Sequence, residues 1–169
     1  MYNRDNIQSG DLLVWTGDEI GGKDEFYLKL VRLMTMSDYG HVSIAWKVQD
    51  TLHHVEATQP EITFTKVSNK ATFYRIPIGI PVSDQQMSSF FDSKLGLKYS
   101  FLDAFYAYIG RTLKDEDRWQ CVELANYFYR SIGIDVGPVY VPNRFVRALM
   151  GKTGQPLVYY GPLALEGMV

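Results

Sequence analysis

Residues 41–58 read HVSIAWKVQDTLHHVEAT. Apolar and polar residues alternate through residues 41–48 and again through residues 52–58, and this period of two predicts two β-strands. Only the short turn at residues 49–51 separates them, so we expect an antiparallel hairpin. We expect this hairpin to belong to an antiparallel sheet on which the helices of the second half pack.

His41 lies outside the apolar face of the first predicted strand. Successive side chains of a strand point to opposite faces, so the core face consists of Val42, Ile44, Trp46 and Val48. His41 therefore points toward solvent or a cleft. On the second strand Glu56 shares a face with His54, and the short turn makes His41 and Glu56 near cross-strand neighbours. A Glu56 carboxylate in that position would accept Nδ1–H of His41 and leave Nε2 to take a proton.

The remaining segments predict an α+β fold, with an antiparallel sheet packed against helices. Strands dominate the first half of the chain and helices the second, which favours one domain over residues 1–169. Further strands are predicted at residues 11–16, 61–67, 72–78 and 157–160. Helices are predicted from Asp24 through Leu33, from Ser83 to a stop at Gly96, over 101–110 and 117–132, and from Pro142 to Met150.

Composition limits the classes of partner. Hydrophobic residues make up 46% and charged residues 21% of the 169, as in ordinary globular proteins. The net charge of −2, without a basic run, argues against nucleic acid as a partner.

The polar N-terminus lacks the apolar stretch of a signal peptide, and the most apolar segment, 101–109, is too short to cross a bilayer. We therefore expect a cytoplasmic protein with no integral membrane segment.

The single cysteine, Cys121, lies where a thiol ionises readily. It follows a mainly polar turn, Asp117-Arg118-Trp119-Gln120, and lies in the first turn of a predicted amphipathic helix. Free N–H groups and the positive end of the helix dipole favour the thiolate, which is the nucleophilic form. Together with an imidazole base at His41 and an orienting carboxylate at Glu56, it has the composition of a nucleophilic triad.

Histidine and cysteine side chains can also bind a metal ion. The three histidines and Cys121 do not have the spacing of a zinc finger, and no HExxH motif is present. We therefore predict neither a metal nor another cofactor.

Five motifs in order resemble a known family. They are GDLLVWTG at 10–17, SDYGHVSI at 37–44, HVEA at 54–57, WQCVEL at 119–124 and VPNRF at 141–145. The chain resembles the circularly permuted papain-fold cysteine hydrolases, the YiiX-like members of the NlpC-type superfamily, which are distantly related to lecithin retinol acyltransferase. In that family the histidine and its polar partner precede the cysteine, as they do here. The residue after the cysteine, Val122, departs from the serine that many relatives carry.

The resemblance implies a permuted papain-like fold with Cys121 as nucleophile, His41 as general base and Glu56 as the third member of the triad. It implies attack of a thiolate on an amide, ester or thioester carbonyl of a peptide-like or acyl-lipid substrate, through an acyl-enzyme. The N–H of Cys121 would be the first oxyanion donor. The candidates for a second donor, or for a supporting role behind the triad, are Gln120, Ser37, Tyr39 and His54.

Two other functions fit the same sequence. The chain could be a catalytically silent binding or structural protein on this fold, such as a phage or host-modulating factor, since fold does not imply function. It could also be an acyltransferase to a lipid or amine, because the acylation step is shared with hydrolysis.

Overall fold

The predicted hairpin lies within a six-stranded antiparallel sheet. The computed structural model describes residues 4–16, 38–99 and 118–163. The strands of this sheet are β1 Leu12–Trp15, β2 His41–Val48, β3 Thr51–Ala57, β4 Ile62–Lys66, β5 Phe73–Ile76 and β8 Val158–Tyr160. They follow the order β4-β3-β2-β1-β5-β8 across the sheet. Two further short strands, β6 Lys98–Tyr99 and β7 Arg118–Trp119, pair in parallel beside it.

Three α-helices and a short 3-10 turn, Arg4–Asn6, complete the described residues. The helices are α1 Asp84–Phe91, α2 Cys121–Ser131 and α3 Pro142–Thr153. Ser83 caps α1 in a capping box with Gln86, and proline occupies the first position of α3, where its missing N–H has no cost. Among the described helices, none has the length and apolar character needed to cross a membrane.

The mixed α+β class and the antiparallel sheet confirm the sequence prediction, and several boundaries correct it. The cysteine helix begins at Cys121 rather than at residue 117, because Arg118 and Trp119 pair with β6. Helix α1 ends at Phe91, and the chain from there to Gly96 forms turns. The helices predicted from Asp24 and over 101–110 lie outside the described residues.

The main core lies between α2, α3 and one face of the sheet. Helix α2 packs against β2 and β3. The Tyr129 hydroxyl of α2 donates a hydrogen bond of 2.9 Å to the carbonyl of Gly10, just before β1. Burial of Val122, Leu124, Phe128 and Tyr129 from α2 is worth roughly 1.5–3 kcal/mol for each side chain. The sheet and the helices contribute the buried residues Leu12, Val14, Val42, Ile44, Trp46, Val55, Val122, Leu124, Phe128, Tyr129, Phe145 and Leu149.

A smaller core covers the opposite face of the sheet. It consists of Ile7, Leu13, Trp15, Ala45, Val67, Phe73 and Tyr160. His41, Ser43, His54 and Glu56 belong to this same face, since Ala45 pairs directly with His54 and side chains alternate along each strand. The two cores therefore fix the position of β2 and β3 from both sides.

Candidate active site

Cys121 occupies the first position of α2, next to the start of β2. Gln120 is the N-cap in an extended conformation, so the helical N–H groups begin at the cysteine itself. The His41 ring and the backbone N–H groups of Val42 and Val122 lie near enough to the Cys121 sulfur to favour its ionised form. Cys121 is buried, but polar groups adjoin its thiol.

Glu56 contacts the other end of the His41 ring. The Nε2 atom of His41 lies 2.6 Å from Oε2 of Glu56, just below the usual N–H···O range of about 2.7–3.2 Å, and charge-assisted bonds are the shorter ones. This corrects the predicted ring orientation, in which Nδ1 faced the carboxylate. With Nε2 on Glu56, Nδ1 is the nitrogen left for Cys121. The reason is that β2 presents the ring between a carboxylate from β3 and a thiol from α2, a tertiary arrangement that strand alternation does not fix.

Opposite charges determine the ionisation of the three side chains. Burial by itself lowers the pKa of His41, but the Cys121 thiolate and the Glu56 carboxylate outweigh it and raise the pKa to about 10. Burial alone raises the pKa of Cys121; the His41 imidazolium and the two backbone donors outweigh it, and the net pKa is lowered. The pKa of Glu56 is lowered as well, because the bond to His41 outweighs burial. The arrangement therefore favours a thiolate–imidazolium pair with an ionised Glu56.

His54 lies behind Glu56, away from the thiol. Its Nδ1 is 3.1 Å from the Ser43 hydroxyl, which accepts a bond of 3.0 Å from the Trp15 indole N–H. Its Nε2 is 3.0 Å from Oγ1 of Thr65 and 3.8 Å from Oε1 of Glu56. Burial lowers the pKa of His54 more than Glu56 raises it, so this ring stays neutral. His54 is therefore a neighbour of the Glu56 carboxylate and not of Cys121.

The other predicted site residues have different surroundings. Gln120 is 5% exposed and adjoins the cysteine, and its side chain does not cap α2. Tyr39 is half-buried, packs edge-on against Tyr74, and has a pKa raised by burial. Ser37 lies outside the described residues. Gln120 is thus the candidate donor that the described chain holds directly beside Cys121.

A cavity of about 300 Å³ borders the Glu56 end of this arrangement. It is lined by Trp15, His54, Glu56, Lys66, Ser68, Lys70 and Ala71. Within residues 4–16, 38–99 and 118–163, no group of three or more His, Cys, Asp or Glu side chains has an arrangement suited to a metal ion.

The sequence analysis did not identify Ser43, which contacts His54, or Trp15, which contacts Ser43. The alternation of side chains along β2 could have identified Ser43, because it lies on the same strand face as His41. No local pattern could have identified Trp15, because its indole reaches Ser43 only through the pairing of β1 with β2, where Trp15 is opposite His41.

No family model matches this chain, and no curated protein matches it. It is similar to a solved structure described as the crystal structure of metalloprotein yiiX from Escherichia coli O157:H7, DUF1105. The two chains are 19% identical, with a TM-score of 0.57 over 92% of this chain and 89% of that one. The chain therefore has a YiiX-like fold.

Proposed function

We propose that this protein is a cysteine hydrolase of the permuted papain-like type, acting on an amide, ester or thioester carbonyl. The observation that carries the proposal is the continuous contact from Cys121 through His41 to Glu56, with a 2.6 Å bond between the last two. It is supported by the position of the thiol at the start of α2, where the helix dipole favours an anion.

Acylation begins with attack of the Cys121 thiolate on the carbonyl carbon of the substrate. The carbonyl π bond opens to an oxyanion, and the tetrahedral intermediate collapses when the bond to the leaving group breaks. His41 gives its proton to the departing nitrogen, oxygen or sulfur. The products are a thioester on Cys121 and a neutral imidazole still bonded to Glu56.

Deacylation uses the same groups in reverse. Neutral His41 takes a proton from water, whose oxygen attacks the thioester carbonyl. The C–S bond then breaks, the carboxylic acid leaves, and the thiolate–imidazolium pair is restored. If an amine or lipid hydroxyl replaces water in this step, the enzyme is an acyltransferase, and product analysis with added acceptors separates the two reactions.

The oxyanion requires donors on the carbonyl side of the thiolate. The backbone N–H of Cys121 is one of the N–H groups without an acceptor inside the helix, and the Gln120 amide adjoins it. We assign these two groups to the oxyanion site.

The structural neighbour is described as a metalloprotein, so a metal is the rival use of this site. For the present chain, both nitrogens of His41 are already engaged, one by Glu56 and the other by the thiol. A metal ion on His41 would have to displace one of these partners. We therefore assign the chemistry to the thiolate.

An acyl-enzyme trap tests the proposal. Incubation with p-nitrophenyl acetate is expected to add one acetyl group to Cys121, detected by intact-mass and peptide mass spectrometry, with a burst of p-nitrophenolate. Addition of EDTA is expected to leave the burst unchanged. Absence of an adduct on Cys121, or loss of the burst with EDTA and its return with zinc, would contradict the proposal.

A further inference from the structure

A chain of polar contacts extends from β1 to the carboxylate of the proposed triad. It passes from the Trp15 indole to the Ser43 hydroxyl and from there to His54, with donor–acceptor distances of 3.0 and 3.1 Å. His54 then lies 3.0 Å from Thr65 and 3.8 Å from the Glu56 oxygen that does not contact His41. Trp15, Ser43 and His54 are all at least nine-tenths buried.

Hydrogen-bond accounting along this chain fixes the tautomer of His54. The indole of Trp15 can only donate, so it uses a lone pair of the Ser43 oxygen. The Ser43 hydroxyl then has one hydrogen to give, and its remaining side-chain partner in the described structure is Nδ1 of His54. Nδ1 must therefore accept, and the ring hydrogen is on Nε2. The reverse tautomer would leave the buried Ser43 hydrogen without an acceptor, which is costly.

This tautomer has a consequence for Glu56. The Nε2–H of His54 donates to Thr65 and is on the edge of the ring that faces Oε1 of Glu56. At 3.8 Å the contact with Glu56 is too long for a hydrogen bond, so it acts as a dipole toward the anion. We propose, building on the proposed function, that neutral His54 is a positioning residue that keeps Glu56 ionised and its Oε2 directed at His41.

Packing alone does not hold Glu56 in place, which is why a polar support is needed. The cavity of about 300 Å³ borders both Glu56 and His54, so the carboxylate has open space on that side. The other charged or titratable groups around His54 are His41 on β2, His53 on β3, and Lys66 and Lys70 across the cavity. Neither lysine is within ion-pair distance of Glu56 in the described structure, so neither takes over the role of His54.

The test is the pH dependence of Cys121 alkylation by iodoacetamide, which needs no substrate. His54→Phe keeps a ring of similar size and removes both nitrogens, whereas His54→Gln retains an N–H near the position of Nε2. In His54→Phe we expect the pH below which the alkylation rate of Cys121 falls to move up by about half a pH unit. At a given pH on the acid side of the profile, the rate is then roughly threefold lower than in the wild type. His54→Gln is expected to stay near the wild-type profile.

His53→Phe is the matched control, because His53 lies on the opposite face of β3 and stacks on Phe64. It is expected to leave the profile unchanged. A folded His54→Phe protein with the wild-type profile would overturn the inference alone. If His54→Phe does not fold, Ser43→Ala removes the hydroxyl that sets the tautomer, and an unchanged profile there overturns it equally. A wild-type protein that alkylates like an ordinary thiol would overturn the proposed function itself.

Discussion

Replacement of Cys121 by alanine is expected to abolish turnover of an activated acyl ester, by a factor of about 10⁴ or more. The proposed nucleophile is lost, and no other thiol exists in the 169 residues to replace it. The fold should remain, because the change removes a single sulfur at the edge of the core, beside the start of β2. Steady-state hydrolysis of p-nitrophenyl acetate beside circular dichroism measures both effects.

Cys121→Ser is the matched control for this change. It keeps a nucleophilic atom in place, but a hydroxyl is not ionised by an imidazolium in the way that a thiol is, so we expect a comparable loss. Activity within tenfold of the wild type in a folded alanine variant would show that the chemistry lies elsewhere.

His41→Phe is expected to reduce turnover by about 10²–10⁴-fold. The phenyl ring fills the same buried space, while the proposed proton donor to the leaving group is removed. The pKa of Cys121 is expected to rise above its ordinary value, because burial remains and the opposing imidazolium is gone. Alkylation at neutral pH should thus become slower than that of a free cysteine.

The sign of the pH dependence follows from the same pair. The thiolate is lost as pH falls through the lowered pKa of Cys121, and the imidazolium is lost as pH rises through the His41 pKa of about 10. Hydrolysis should fall at both limits, whereas alkylation, which needs only the thiolate, should fall only at the acid limit. An unchanged acid limit in His41→Phe would contradict the pairing.

Local sequence patterns were sufficient to predict the secondary-structure elements on which the candidate site residues lie. Alternation over residues 41–48 and the short turn after them predicted the hairpin and the shared face of His41 and Glu56. Capping chemistry at Ser83 predicted the start of α1. The position of Cys121 at a helix start was also readable, because the change from polar to amphipathic sequence is local. The catalytic roles, and the relation to permuted papain-fold enzymes beyond a YiiX-like fold, stay predictions.

Contacts between segments that are distant in the chain could not be predicted from the sequence. The His41 ring orientation depends on a thiol that arrives 80 positions later in the chain. The strand at Arg118–Trp119 exists through pairing with Lys98–Tyr99, so a helical pattern extended across it was wrong. The hydrogen bond from Trp15 to Ser43, the residue that contacts His54, requires β1 to pair with β2. Each of these is a product of tertiary pairing rather than of local preference.

The rate of Cys121 alkylation by iodoacetamide as a function of pH shows whether His41 holds the Cys121 thiol in its ionised form. A thiolate held by His41 should react well below pH 8.5, about the value at which a free cysteine ionises, with a plateau that persists into mildly acidic solution. A rate that follows one titration near that ordinary value, or no reaction of the folded protein at any pH, would rule out a thiolate–imidazolium pair of Cys121 and His41.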